Sequence, residues 1–418
     1  MTQAAAHPRT LVVVGAGAAG LMAAICAARA GARVVLLEKN SRPGLKILIS
    51  GGGRCNLTTT LTGAELERQY GERRGRFLRH ALRAYPPDAL CREITAAGVP
   101  LHEEDLDKIF PDSQQAKDVL AALLRLAREA GVQLVTTSPV TALTRRGERW
   151  LVGSASGEYV ADAVILATGG LSYPRTGATG DGYRFAAALG HGLVPPVPAL
   201  APLALDLPWV HELAGIVLEG VELTVLDRGG AALCTRRRPI LFTHKGLSGP
   251  APMDLSGHVE EQGGGCTLRF DFAPELGAEA LEQHLLELAQ SSGRKHALHG
   301  LPAALPERLR LVLCRLAGAD TTLAALPREA RRRLVAVCKS LTLPVERSLG
   351  FAHAEVTRGG IPLAEVDPRT MASKLVPGLH LCGEILDLDG PIGGFNFQAA
   401  FATGRLAGLS AARPPAAS

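Results

Sequence analysis

Gly15, Gly17 and Gly20, spaced G-x-G-x-x-G, and an acid at Glu38, 18 residues past the last of them, are the residues whose types and spacing could do chemistry. A first glycine permits a tight turn, a second lets the backbone approach a pyrophosphate, and a third lets a helix pack closely on a strand. A carboxylate about twenty residues further on can accept hydrogen bonds from a ribose diol. The chain has 47 glycines, so the pattern alone is weak. The elements around it must decide.

Residues 10–14, TLVVV, form a β-branched run suited to a buried parallel strand, and Gly15 follows at once. An alanine-rich helix is predicted over 21–30, stopping at Gly31. Residues 32–37, ARVVLL, read as a second strand that ends at Glu38. Strand, glycine turn, helix and acid-tipped strand together predict a dinucleotide site. The same stretch holds 19 uncharged residues, 10–28, between Arg9 and Arg29, which superficially matches a signal peptide or membrane span. Glycines placed where a strand turns into a helix argue against that reading.

Three later glycine clusters indicate which dinucleotide: SGGGRCN (50–56), ILATGGLSYPRTGATGDG (165–182) and CGEILDLDGPIGGFNFQAAFATG (382–404). A long cofactor needs several close backbone approaches, so non-covalent FAD is expected. In the second cluster a strand over 162–167 runs into Thr168 and Gly169. Strands over 132–136 and 141–152 bring adenine and ribose contacts near Val140. In the third, Gly383 and Glu384 follow a strand at 379–382, and Gly393-Gly394 precedes a helix through 398–407. A helix N-terminus favours negative charge, and aimed at the pyrimidine end of an isoalloxazine it would favour the reduced anion.

The motifs GAGAAGLMAA, GLKILISGGGRCNLT, KIFPDSQQAKDVL, ATGGLSYPRTGATGDGY, LFTHKGLSGPAPMDLS, VTRGGI and GGFNFQAAFATGRLAG span nearly the whole chain. The sequence resembles the BaiN/YhiN-like FAD-binding flavoproteins, also called aminoacetone oxidase-like, of the glutathione-reductase type. The resemblance implies an α/β fold: a Rossmann-like FAD-binding domain built from both chain ends (1–195 plus 351–418), an inserted β-barrel-like domain (196–275 plus 340–350) and a small helical domain (276–339). It implies ADP contacts from Gly15, Gly17, Ala19, Gly20, Glu38 and Lys39. Lys46, Ser50, Gly52, Arg54, Cys55 and Asn56 would lie along the flavin, and Glu384, Gly394, Phe395 and Asn396 at its ribityl and ring. Two departures are Thr59, where an asparagine is expected, and the segment PIGG.

Arg54 could pair with flavin or a substrate carboxylate, or only hold its loop. Cys55 could be an activated thiol or a small buried packing residue. His244, in LFTHKGLSGP, could act as acid or base over the flavin, or be an ordinary turn residue. Arg54 and His244 are therefore the catalytic candidates. The basic run REARRR (328–333) could steer an anionic substrate or be a solvated helix face.

A net charge of +5, from 45 basic and 40 acidic residues, falls short of a nucleic-acid-binding footprint. Eight cysteines without a C-x-x-C or zinc spacing predict no metal site and reduced thiols, as in a cytoplasm. The expectation is a cytoplasmic, non-membrane FAD-dependent oxidoreductase moving hydride to or from flavin N5 on a small-molecule substrate. NAD(P)H would act as a transient donor, with no stable nucleic-acid partner. The alternatives are a flavin-dependent RNA-modification or accessory protein and a non-catalytic flavin-binding module. The sequence is silent on oligomeric state.

Overall fold

The structure is a computed structural model that describes residues 7–414. The chain divides into two compact units: Pro198–Ala354, and the two flanking segments, which come together as one.

The flanking segments build a five-stranded sheet in the order Leu379–Leu381, Ala163–Leu166, Thr10–Val14, Arg33–Leu37, Gln133–Val135. All four pairings are parallel. Leu11, Val12 and Val13 have no exposed surface, as expected of a parallel strand covered on both faces. The uncharged run 10–28 splits into the strand Thr10–Val14 and the helix Ala18–Arg29. Among the described residues no helix is long and apolar enough to cross a membrane.

The fingerprint helix Ala18–Arg29 is buried from Ala18 to Ala27, because the C-terminal helix Phe395–Ala412 lies across it. That crossing is backbone against backbone. A Cβ on Gly404 would stand 2.3 Å from the Ala19 carbonyl oxygen, and one on Gly408 would stand 2.2 Å from that of Ala23. Alanines on one helix and glycines on the other thus draw the two chain ends together. Two three-stranded antiparallel sheets also belong to this unit. One joins Val140–Arg146, Arg149–Ser154 and Gly157–Ala161. The other joins Thr58–Thr59, Lys108–Pro111 and Leu101–Glu104. A two-stranded sheet joins Val194–Ala199 to Val356–Gly360.

Pro198–Ala354 contains two four-stranded sheets. One runs in the order Leu203–Ala204, Gly246–Ser248, Ile240–Thr243, Val217–Leu218, and the other Ala232–Arg237, Glu222–Leu226, Cys266–Asp271, Leu341–Val345. The helices Ala278–Ser291, Glu307–Ala317 and Arg328–Ser340 share a core with these strands: Leu281, Leu309 and Leu334 belong to the same buried cluster as Leu268 and Phe270. Strand and helix residues of this unit therefore exclude water together.

Candidate functional site

The glycine turn adopts the conformation its spacing demands. Gly15 has φ +99°, and a Cβ there would lie 2.6 Å from the Ala167 carbonyl oxygen. A Cβ on Gly20 would lie 1.8 Å from the Gly15 carbonyl, so the third glycine is fixed by helix-on-turn packing. Gly17 differs. A Cβ there would meet nothing within 4 Å. It precedes a helix with no side-chain cap and no acid in its first turn, so the orphan N–H groups there suit an anion. Ala19 lies in that first turn.

Glu38 is buried, and its carboxylate accepts hydrogen bonds from the backbone N–H of Ala16 at 2.9 Å and of Asn40 at 2.8 Å. It clamps the glycine turn, while the remaining lone pairs of its oxygens can take a diol. The N–H of Ser138 donates to the Glu38 carbonyl at 2.9 Å, and that of Thr137 to Asn40, so Val140 begins its strand beside this acid. Lys39 reaches instead to Asp181 at 2.7 Å and to Thr179. Burial acts to raise the Asp181 carboxyl, but hydrogen bonds from Lys39, Arg184 and Thr179 outweigh it and hold it down at about 2.

At the other end, Lys46 and Glu384, 338 residues apart, form an ion pair at 2.6 Å. The second Glu384 oxygen accepts from Ser172 Oγ at 2.7 Å and from the Thr357 N–H at 2.8 Å, and Lys46 also reaches Ser172. Beside this knot, Gly169 has φ +72° and open space where a Cβ would be, and the buried hydroxyls of Thr168 and Tyr183 have no partner in the protein. Buried polar groups are ordinarily satisfied, so partnerless hydroxyls beside the bare backbone of Gly169 fit a polar ligand such as a flavin with its ribityl chain. Ser172, Tyr183 and Thr357 were not singled out from the sequence. Ser172 and Thr357 lie inside family-like motifs, but the only signal for their role is the carboxylate they meet in space.

The C-terminal cluster forms a second helix entrance. Gly383, at φ +76°, donates to Thr403 Oγ1 at 3.0 Å, and its missing Cβ would stand 2.7 Å from that of Ala19, which puts this loop against the fingerprint helix. Gly393 (φ +135°) and Gly394 (φ +83°) turn the chain into the helix Phe395–Ala412. Asn56 accepts from the Gly394 N–H at 3.0 Å and donates to the Thr58 carbonyl at 3.2 Å, tying the two clusters together. Asn396 closes a two-way hydrogen bond with Gly390, both arms 2.9 Å. The loop between is held by buried charge: Asp389 pairs with Arg358 at 2.8 Å and Arg74 at 3.1 Å, and Asp387 pairs with Arg74 at 2.9 Å. The ring of Phe395 packs edge-on against Tyr70, whose hydroxyl donates to the Phe395 carbonyl at 2.8 Å. The first-turn N–H groups of this helix keep no intrahelical partner.

The loop between these entrances is anchored from outside. Arg54 bridges to Glu104 at 2.9 Å and to Gln114 at 2.9 Å, with its guanidinium carbon 4.2 Å from the centre of the Phe110 ring. His102 joins Asp112 at 2.9 Å, and the hydrogen bonds it donates to that carboxylate and to Glu104 raise its imidazole above the ordinary histidine range. Ser50 Oγ donates to the Ile47 carbonyl at 2.7 Å, and Gly52, at φ +69°, leaves open space. Cys55 is buried with φ +66°, and burial pushes its thiol up to about 12, far from an activated thiolate. His244 is exposed, in the turn joining Ile240–Thr243 to Gly246–Ser248, and belongs to the unit Pro198–Ala354.

The family described as HI0933-like protein Rossmann domain matches residues 9–410. The chain is 31% identical over 396 residues to a ribosomal RNA dihydrouridine synthase of Escherichia coli, covering 94% of this chain and 95% of that one. It is 33% identical over 414 residues to a 3-dehydro-bile acid delta(4,6)-reductase of Clostridium scindens, covering 96% and 99%. Its fold is similar to the crystal structure of 3-ketosteroid delta1-dehydrogenase from Sterolibacterium denitrificans, with TM-score 0.52 and 14% identity over 97% of this chain and 99% of that one.

Proposed function

The chain belongs to the HI0933-like Rossmann-domain family and is an FAD-dependent oxidoreductase; from that premise we propose that it reduces a carbon–carbon double bond conjugated to a carbonyl. Dihydrouridine is uridine with two hydrogens added across a ring double bond conjugated to a carbonyl. A 3-oxo steroid with double bonds at positions 4 and 6 presents the same grouping. The two relatives, named for different molecules, therefore share a reacting group.

Bound FAD supplies hydride chemistry at N5. The residues of this chain supply the rest of the reading. The open Gly17 turn and the uncapped Ala18–Arg29 helix take the pyrophosphate, and Glu38 takes the ribose. Thr168, Gly169 and the Lys46–Glu384 pair border the ribityl and ring end. Ser50, Gly52, Cys55 and Asn56 form the loop along the flavin, and Gly383, Gly393, Gly394, Phe395 and Asn396 form its opposite rim. The observation that carries the reading is the second helix entrance after Gly394, where the first-turn N–H groups from Phe395 onward have no side-chain cap and favour negative charge on the reduced ring. Arg54, already held by a carboxylate, is a positioning residue for its loop. Conjugate reduction also needs a proton at the carbon next to the carbonyl.

NAD(P)H is proposed as a transient donor, since the chain has one dinucleotide fingerprint. A small conjugated enone is one carrier of the reacting group. A uracil base in RNA is a second, favoured by the Escherichia coli and Haemophilus influenzae relatives. The test is anaerobic: the flavin is reduced with NADH or NADPH, then mixed with cyclohexenone, a 3-oxo-4-ene steroid, uridine-containing RNA or oxygen. Reoxidation by a conjugated alkene, with the saturated product recovered, is the expected result. Reoxidation by oxygen alone, or purification without FAD, would overturn the reading.

A further inference from the structure

The modest net charge hides a strong local asymmetry. Residues 293–340 hold ten Lys and Arg against three Asp and Glu, a balance of +7 in a chain that totals +5. The remainder of the protein is slightly acidic, so the whole positive excess resides in one helical segment.

Within this segment Arg315 holds Glu212, Arg331 reaches Glu282 at 3.5 Å and Lys339 holds Asp271 at 2.8 Å. Pairing separates the segment's remaining exposed cations from the other arginine-rich helix, Gly71–Ala84. There Arg73 and Arg74 hold Asp387, Arg76 holds Glu72, and Arg79 and Arg83 both reach Glu67. Those charges are spent inside the protein. Arg294, Lys295 and Arg328 are exposed, and their side chains form no ion pair or hydrogen bond among the described residues. Arg332 comes only within 3.9 Å of Glu282 and is half exposed.

The backbone gathers these cations. The N–H of Leu323 donates to the Lys295 carbonyl at 2.8 Å and that of Ala324 to Gly293 at 2.9 Å, laying 293–295 alongside 323–324. Three residues on, Pro327 opens the helix Arg328–Ser340. The neighbouring helix Ala278–Ser291 carries Glu279, Glu282 and Glu287 and no Lys or Arg, and its Glu282 offsets Arg331 and Arg332, which leaves Arg294, Lys295 and Arg328 as the unpaired cations of this edge among the described residues. A polyanion is drawn to those three.

We propose that the edge formed by Arg294, Lys295 and the start of the helix Arg328–Ser340 is a docking surface for the phosphate backbone of folded RNA. The proposal rests on the reading that the reacting group is a conjugated alkene of the kind a uracil base carries. The segment 293–340 contains no Phe, Tyr or Trp, so it has no platform on which unpaired bases could stack. What it offers is charge, which reads phosphate and not sequence. The surface supplies affinity, and the choice of base is left to the flavin site.

The test is fluorescence anisotropy of a labelled, uridine-looped RNA hairpin with the FAD-loaded protein, titrated over a salt series. The wild type is expected to bind with a steep log–log salt dependence. The R294S/K295S/R328S variant is expected to lose about tenfold or more in affinity near 0.1 M salt, its slope falling by roughly two to three. A charge-matched control, R33S/R145S/R146S, is expected to keep the wild-type slope. Equal loss in the control, an unchanged slope in the first variant, no wild-type binding at low salt, or equally tight binding of polyglutamate would each overturn the proposal. Enone reoxidation is followed on the same samples. Its absence in the wild type would count against the reductase reading, while the anisotropy still decides the docking surface.

Discussion

Gly17 and Gly20, three residues apart in the same motif, answer to different physics, and substitution separates them. Gly17 faces open space, so Gly17→Val is expected to leave the thermal stability of the apo-protein unchanged while abolishing FAD retention. Gly20→Ala drives a methyl into the Gly15 carbonyl and is expected to destabilise the fold itself, by about 1–3 kcal/mol or more. Flavin content after gel filtration and apo-protein melting distinguish the two. A second pair of substitutions separates ligand groups from scaffold groups. The Thr168 hydroxyl is buried without a partner, so Thr168→Val is expected to keep or raise apo stability and to weaken FAD by about 1 kcal/mol, roughly fivefold. Glu38→Gln leaves a backbone N–H facing an amide nitrogen, and is expected to cost both apo stability and FAD affinity about 1–3 kcal/mol. Equal effects of both substitutions on the apo-protein would remove Thr168 from the cofactor site.

At the scale of elements, the helix Phe395–Ala412 has two tasks. Its middle packs through Gly404 and Gly408, and its start carries free N–H groups that are proposed to favour negative charge on the flavin. The second task is tested by comparing Phe395→Pro with Phe395→Ala. Both lose the ring that packs on Tyr70, but only proline also loses the N–H, and the first helical position tolerates its φ. The proline variant is expected to bind sulfite more weakly at the flavin and to have a lower flavin potential than the alanine variant, since both readouts report negative charge on the ring. Matching sulfite affinities and potentials in two FAD-loaded variants would exclude the helix entrance as the source of that stabilisation.

For the whole molecule, buried titratable groups set the pH window of stability. Burial, with a further contribution from the Arg9 charge, lowers His380 to about 4 from an unfolded value of 6.5. The folded state thus binds fewer protons than the unfolded chain between those values. Stability from this group is full above pH 6.5 and lost as pH falls through 4. Asp181, held at about 2, adds a second loss between its unfolded value of 3.8 and 2. On the alkaline side burial raises Cys55, Cys338 and Cys382 to about 12, so stability falls as pH rises past 9, where unfolded thiols ionise. Melting temperatures are expected to plateau between pH 7 and 9, and His380→Gln is expected to flatten the decline between 6.5 and 4. An unaltered acid limb in that variant would assign the decline to other groups.

The sequence by itself determined the elements whose signals are local. TLVVV, the glycine turn, the helix to Gly31 and the strand to Glu38 are set by residue types within a few positions of one another, and the structure forms each of them. The turn into a helix after Gly394 is local in the same way. Only the tertiary structure decided which polar groups are spent and which are left for a ligand. Lys39 and Lys46 look alike in sequence, yet one neutralises Asp181 and the other Glu384, because their partners arrive 142 and 338 residues later. Arg54 likewise meets Glu104 and Gln114 through a sheet of three short strands that no periodicity marks. The run REARRR and the helix GERRGRFLRHALRA both read as basic strings. Glu282 folds onto the first and Glu67 and Asp387 onto the second, while Arg294 and Lys295 meet no acid among the described residues. Charge and hydrogen-bond pairing act through space over a few ångströms, and sequence separation carries no information about that distance until the chain has closed.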